Sequence, residues 1–378
     1  MNFDFGHREK AFQEKIRALF SDTRAEPLMG WGEESMSALR RESLTWLNRL
    51  AHTGYLSLAL EDEPYGPATV AAQQLLAAVS PALYVCAETS ARIFGRLMNA
   101  YGSPQLRSQV LPAIRHGEAM GAAALSEPGF HETRADMGTV GFTTSEGFRV
   151  SGEKPQVMNA PIADWIAVAG TVDNTDAAAF FLVSRHDQGL FMGQKSPPLG
   201  CEDLPMCAVT LEDCRVDPAY VMGPMDGREV FTEVRIWENQ VLAAGALGLM
   251  QRALDTAVSH AKRHQSGGKP LIAYQEVGFK LAEMLTLLQT AQLLVYRAAW
   301  MWETGGPEAQ ELAYCAKVFS TESAEEVASK ALHILGQTGF AHKNPAEGAY
   351  RNAKYLQVSG TASALSRMKI ADGLLKNR

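Results

Sequence analysis

No stretch of this chain is apolar for long enough to cross a bilayer. The most continuous apolar run of note, Val241 to Met250, falls far short of the ~20 residues that a spanning helix needs, so no membrane span is expected. Positive charge is in short supply too: 35 Lys plus Arg stand against 42 Asp plus Glu, a net charge of −7. A phosphate backbone calls for a basic stripe, and nucleic acid is not an expected partner. Cysteine is scarce, five in 378 residues. Cys201, Cys207 and Cys214 lie close in sequence but without a CxxC pair or histidines at ligand spacing, so they read as reduced structural thiols and not as a zinc site. His131-Glu132 has no second histidine at the spacing of a zinc helix, and no metal is expected. Gly245 and Gly248 sit inside a helical pattern, not after a strand, so they are no dinucleotide fingerprint. The opening MNFDFGHREK lacks the apolar core and small-residue cleavage site of a secretory signal, and a cytoplasmic location is the expectation.

What is present is apolar material for more than one core: 46% of residues are hydrophobic, and at ~150 residues per domain the length predicts two or three domains. From Ala11 to about Arg115 apolar residues recur at helical spacing, as in Phe12, Ile16, Leu19 and Phe20, which predicts an all-helical first region. Pro64, Pro67, Pro81 and Pro104 break it into several helices. Short apolar runs bounded by Gly, Asn and Asp follow: Gly147–Gly152, Trp165–Gly170, Ala179–Ser184, Ala208–Leu211 and Cys214–Val216. They predict a β-region of roughly a hundred residues. After Asp226 the helical period returns over Glu229–His264, Leu271–Thr304, Gly306–Gly336 and Gly360–Lys376, the pattern of an antiparallel helical bundle. Gly267-Gly268-Lys269-Pro270 marks the turn between the first two.

Several segments at the joins are familiar. Ala124-Leu-Ser-Glu-Pro-Gly-Phe130 resembles the Leu-Thr-Glu-Pro-Gly segment of acyl-CoA dehydrogenases, and Ser151-Gly-Glu-Lys154 with Asn159 resembles their Gly-x-Lys-x-Trp-Ile-Thr-Asn-Gly. Val241–Gln251, Gly268–Leu271 with Gln275, Lys280–Met284, Ala316–Phe319, Ile334–Gly336 with Gly339, and Arg351–Lys354 follow in the family's order and spacing. The resemblance spans nearly the whole chain. It implies an α+β, mainly α fold: an N-terminal helical domain over 1–121, a middle β-domain over 122–226 and a C-terminal four-helix bundle over 227–378, assembled through the bundle into dimers or tetramers. It also implies FAD as cofactor, an acyl thioester as substrate and an electron-transfer flavoprotein as electron acceptor.

Family chemistry takes the α-hydrogen of a thioester as a proton while the β-hydrogen leaves as hydride to the flavin, so the protein supplies a base, an oxyanion site and orientation. In most of the family the base is a glutamate before Gly-Thr near the C-terminus. Here that segment reads Gln357-Val-Ser359-Gly-Thr361-Ala362, and a neutral serine hydroxyl does not replace a carboxylate without help. A minority of the family keeps the glutamate on the first bundle helix, where this chain has Glu238, with Val234, Trp237, Val241 and Leu242 at helical spacing around it. Two readings of Glu238 stand: the catalytic base, or an ordinary helix glutamate such as many relatives carry beside their C-terminal base.

The resemblance assigns flavin contacts to Leu125, Ser126, Gln156, Met158, His264, Ser266, His333, Gln337, Thr361 and Ser363. Ser126 and Thr361 keep the family's hydroxyls. Gln156 and Met158 replace the Trp and Thr of Trp-Ile-Thr-Asn, removing an aromatic wall and a hydroxyl. In the half of the FAD site that the resemblance gives to a partner subunit, His264 replaces an arginine, with Lys262 and Arg263 close by, and His333 and Gln337 replace a glutamine and a glycine; Asn239 replaces the arginine that usually follows the helix glutamate. These departures leave two alternatives beside an active dehydrogenase. One is a degenerate subunit of a heteromeric enzyme. The other is a flavoenzyme on the same fold whose chemistry needs no α-proton base.

Overall fold

The computed structural model describes residues 7–21, 36–60, 64–127, 137–196, 198–341 and 344–376; His131-Glu132 and the segment Pro128–Phe130 lie outside them. The first region is helical, as expected: α1 (His7–Ser21), α2 (Met36–Thr53), α3 (Pro67–Val79), α4 (Pro81–Glu88), α5 (Arg96–Tyr101) and α6 (Pro104–Arg115). Three of the interrupting prolines turn out to open helices. Pro67, Pro81 and Pro104 occupy first turns, where a missing N–H leaves no bond unmade. The hydroxyls of Ser80 and Ser103 cap α4 and α6 by accepting from the Leu83 and Leu106 amides.

Between α4 and α5 the helix widens into π geometry over Thr89–Gly95. This segment holds Arg92, which donates to the carbonyls of Tyr55 and Leu56 at 2.5 and 3.2 Å. Its guanidinium lies 3.9 Å from the Glu88 carboxylate, both side chains being 0% exposed. The Tyr55 hydroxyl and the Gln73 amide donate to the same carboxylate at 2.7 and 2.5 Å. From the same segment the Ser90 hydroxyl accepts from the Gly121 amide at 3.0 Å, tying the helices to the first strand.

That strand, β1 (Gly121–Ala124), pairs in parallel with β4 (Trp165–Val172). With β2 (Val140–Thr144), β3 (Gly147–Met158), β5 (Ala177–Ser184), β6 (Leu190–Lys195), β7 (Met206–Val216) and β8 (Val221–Asp226) it completes a sheet of order β6-β7-β3-β2-β4-β5-β8. The two runs expected at Ala208 and Cys214 are one strand. The acidic pair between them, Glu212-Asp213, sits at an irregularity where Asp213 takes φ +50° and the pairing with β3 shifts register, so the strand passes through a residue pair that looks like a break.

Asp226 ends the sheet and caps α7 (Gly227–Arg263) through the amides of Arg228 and Glu229. At 37 residues this helix is about 55 Å long. Val230, Phe231, Val234, Trp237 and Val241 join the core of the N-terminal helices, and its apolar positions from Leu242 to Ala261 join the core of the bundle. Close approach is possible because two of its residues lack side chains: a Cβ on Gly245 would stand 2.7 Å from the Tyr84 ring, and one on Gly248 2.6 Å from the Gln74 carbonyl. Gly267 and Gly268, at φ +57° and +80°, turn a short hairpin of β9 (Gln265–Ser266) and β10 (Lys269–Pro270). Then come α8 (Gln275–Glu303) and α9 (Ala309–Leu335).

The last expected helix, Gly360–Lys376, is α11 (Ser363–Lys376), and a helix that was not expected, α10 (Pro345–Val358), precedes it. Helix α10 carries little apolar signal because the residues it buries are mostly alanines: Ala346, Ala349, Ala353 and Leu356.

The buried Glu88–Arg92 pair generates a stability prediction. Arg92→Leu strands a carboxylate away from water, and we expect a loss of about 3–5 kcal/mol, read from the urea midpoint of the variant against the parent protein.

Candidate functional site

Where β1 ends, the chain runs through Leu125, which is buried, to Ser126, which is exposed. The next residue fixes this end of the strand: the Glu127 carboxylate bonds Lys154 of β3 at 2.6 Å and accepts from the amides of Gly138 and Thr139 at 2.5 and 3.1 Å. Lys154 is 0% exposed. Burial pulls its ammonium down to about 8 although Glu127 pulls the other way.

Facing Ser126 across the gap between sheet and bundle is α7. The Arg235 guanidinium donates to the Ser126 hydroxyl at 2.6 Å and to the Glu238 carboxylate, also at 2.6 Å. The side chains of Arg235 and Glu238 are 9% and 21% exposed. Val234, Trp237, Val241 and Leu242 are buried as the spacing predicts. The immediate partner of Glu238 is nevertheless a cation one turn earlier on the helix, at the i,i+3 spacing that brings two side chains together.

A second wall comes from the turn between α10 and α11. Gly360 has φ +65°, and a Cβ there would stand 2.7 Å from Leu242 and 2.9 Å from the Asn239 amide oxygen. Glycine is therefore required on both counts. The buried Asn239 side chain donates to the Thr361 hydroxyl at 3.1 Å and accepts from the Thr361 amide at 3.2 Å. Below, the Lys317 ammonium, 0% exposed, donates to the carbonyls of Gln357 and Thr361 at 2.7 and 2.8 Å. Ser359, in the place of the usual glutamate, hydrogen-bonds the phenol of Tyr355, whose pKa burial raises. That phenol also lies 3.8 Å from the Met158 sulfur, and Thr89 of the π segment donates to the same sulfur at 3.3 Å.

One chain thus brings Ser126, Met158, Glu238 and Thr361 to a shared gap, linked by Arg235, Asn239 and Tyr355. Leu125 underlies it, Gln156 is exposed on the same strand two residues before Met158, and Ser363 is half-buried at the start of α11. His264 and Ser266 are elsewhere. They are exposed beyond the far end of α7, 26 residues and about 39 Å of helix from Glu238. His333 and Gln337 are exposed at the end of α9. His333 lines, with Glu276, Glu322 and Lys330, a groove of about 540 Å³ between α8 and α9. Four of the positions assigned from the resemblance therefore lie far from the gap within one chain.

Arg235 and Tyr355 were not legible as site residues. The signal for the first was its place one turn before Glu238; for the second there was only its nearness to Ser359.

The Lys317 environment predicts a pH dependence. Burial takes the ammonium from its ordinary value near 10.5 to about 8. The unfolded chain therefore binds this proton more tightly than the native chain, and its contribution to stability rises with pH from about 8 to about 10.5. The melting temperature of the parent protein is expected to gain on that of Lys317→Met between pH 7.5 and 10, measured by circular dichroism; parallel curves would contradict the assignment.

Comparison with known proteins bears on the family and the fold. Residues 226–375 match the acyl-CoA dehydrogenase C-terminal domain. The human mitochondrial short-chain specific acyl-CoA dehydrogenase is 31% identical over 285 residues, 73% of this chain and 68% of the relative. A benzylmalonyl-CoA dehydrogenase of Aromatoleum aromaticum is 26% identical over 98% of this chain and 99% of its own. Among solved structures, a glutaryl-CoA dehydrogenase of Mycobacterium smegmatis in complex with FADH2 superposes with a TM-score of 0.87 at 20% identity, over 98% of this chain and 95% of that one. The order of helices, sheet and bundle, the motifs along it and these likenesses together make the chain a member of the acyl-CoA dehydrogenase family.

Proposed function

We propose that this chain is an FAD-dependent dehydrogenase that introduces an α,β double bond into an acyl thioester, with Glu238 as the base. The observation that carries the proposal is the convergence of Glu238 and Ser126 on one guanidinium, which sets a carboxylate and a hydroxyl from different layers across a single gap. The place of the usual C-terminal glutamate is taken by Ser359, whose neutral hydroxyl is no base without help.

The residues fit FAD in kind. The Ser126 hydroxyl accepts from Arg235, and its own proton remains to be donated to a ring acceptor. Gly360 keeps the opposite wall free of a side chain, and Thr361 is held in place by Asn239 and Lys317. The Met158 thioether supplies a polarisable apolar contact in place of the lost aromatic wall. Bound there, FAD would supply a two-electron acceptor for the hydrogen leaving the β-carbon. The chain's own part is to place the α-carbon against Glu238, take its proton on a carboxylate oxygen and close the gap to water with Leu242, Trp237 and Tyr355.

His264, Ser266, His333 and Gln337 are assigned to the FAD of a second copy. Their distance from Glu238 supports this, as does an apolar stripe at heptad spacing on α8: Phe279, Leu293 and Trp300 are 59%, 56% and 50% exposed. A bundle-mediated dimer or tetramer covers such a stripe. The division into 1–121, 122–226 and 227–378, the cytoplasmic location, a role in acyl-chain metabolism and electron delivery to an electron-transfer flavoprotein belong to the same proposal. Among the described residues no helix is long and apolar enough to cross a membrane.

The test is the visible spectrum of the purified chain after FAD loading, followed by anaerobic bleaching with straight-chain acyl-CoA thioesters. Retained flavin that bleaches is expected, and Glu238→Gln is expected to keep the flavin while slowing bleaching about 100- to 10,000-fold. Undiminished bleaching in the variant would remove Glu238 from the reaction, and protein that cannot be loaded would remove the flavin.

A further inference from the structure

Positive charge gathers at the far end of α7, in a chain whose net charge is −7. His260, Lys262, Arg263, His264 and Lys269 fall between Thr256 and Gln275, a stretch without Asp or Glu. Two of these cations are engaged in the fold. Arg263 donates to the Ser259 carbonyl and hydroxyl at 3.2 and 2.6 Å, at a helix end whose carbonyls favour a cation, and the Lys269 ammonium lies 4.2 Å over the Tyr274 ring. The histidines differ. Their rings stack, with centroids 4.8 Å apart and planes 15° from parallel. His264 is exposed and His260 half-buried, and among the described residues neither imidazole has a hydrogen-bond partner. Two imidazolium rings this close repel, so the free pair holds one proton more readily than two. Burial lowers the proton affinity of His260, and His264 and Arg263 lower it further. The carboxylates on the helices packed against this end already have cations. Glu276 of α8 bonds Lys280 at 2.5 Å, and Lys330 of α9 bonds Glu283 and Glu326 at 2.7 and 3.3 Å, in the groove that His333 also lines.

We propose that the stacked pair is a proton-coupled anion site: His260 and His264 together receive the diphosphate of FAD, and binding draws a second proton onto the pair. This rests on the assignment above of this end of α7 to the cofactor of a second copy, and it adds His260 to the residues that hold it. A diphosphate is suited to the pair because its oxygens only accept, while a protonated imidazole offers an N–H from each ring nitrogen. Its negative charge also removes the obstacle to the second proton, since an anion beside the rings offsets their mutual repulsion. Proton and anion therefore favour each other. The affinity for the cofactor falls as pH rises through the range in which histidine ordinarily titrates, whereas a site built on lysine and arginine alone would hold the same anion evenly across that range.

The experiment titrates FAD into the flavin-free full chain by calorimetry at about pH 6, 7 and 8, each in two buffers of different ionisation enthalpy, which gives the protons taken up on binding. FAD has no group of its own that titrates in this range. The parent protein is expected to take up about 0.5–1 proton per FAD near pH 7, with a Kd that weakens roughly 3- to 10-fold for each pH unit gained. His260→Gln is expected to lose about half of the uptake, and the double variant His260→Gln/His264→Gln nearly all of it, while His333→Gln keeps it. Binding of FAD by the parent protein without proton uptake overturns the proposal, as does full uptake in His260→Gln or its loss in His333→Gln. The reading beneath it fails separately. A chain that takes up no FAD at any pH removes both the cofactor and this site, FAD binding that is flat with pH removes this site alone, and proton-coupled binding without bleaching by acyl-CoA thioesters keeps the site and rejects the dehydrogenation.

Discussion

Every layer of this molecule leans on α7, and the constraint it imposes is that one helix must serve two cores. Its first half packs with the N-terminal helices and the sheet, its second half with the bundle and, at Gly245 and Gly248, with α4 and α3, and the core that its apolar residues join changes at Val241 and Leu242. Glu238 stands one turn before that changeover, where neither core encloses the helix completely. The gap between the layers opens at this point because the packing partners change there. The groups that line it come from four places in the sequence: Ser126 from the end of β1, Met158 from the end of β3, Arg235 and Glu238 from α7, and Thr361 from the last turn.

The polar walls of the gap are held by interactions that are costly to leave unmade. Glu127 and Lys154 fix the strand end that carries Ser126. Asn239 and Lys317 fix the turn that carries Thr361. Each uses a fully buried side chain to hold a short piece of irregular backbone, and backbone of that kind has no ladder of its own to keep it in place. The same logic runs through the N-terminal helices, where Arg92 spends its donors on the carbonyls of Tyr55 and Leu56.

Much of this architecture was legible in the residues. The long helices α7, α8 and α9 announce themselves by period, and the glycine pair at 267–268 by its turn chemistry. Helix α10 was not legible because alanines bury little area and so leave a faint pattern. Strand β7 looked like two strands because its irregularity falls on an acidic pair. In the site, Ser126, Glu238 and Thr361 could be placed by resemblance, but the partner of Glu238 could not. A sequence shows that Arg235 is one turn from Glu238; only the fold shows that Ser126 stands on the other side of the guanidinium. The histidines at 264 and 333, which the resemblance gives to the FAD of a partner subunit, sit on exposed surfaces far from Glu238 in this chain.

The π segment at Thr89–Gly95 packs more residues into a turn than an α-helix does, and it faces two ways. Arg92 points back into the helical core, while Thr89 and Ser90 reach the Met158 sulfur and the first strand. In an α-helix these residues would be rotated relative to one another and could not meet both sets of partners. Loss of a single residue from this stretch would therefore act at a distance. It would tighten the coil, turn Thr89 and Ser90 off the sheet and uncouple the helical layer from the mouth of the gap, without altering any side chain that borders the substrate.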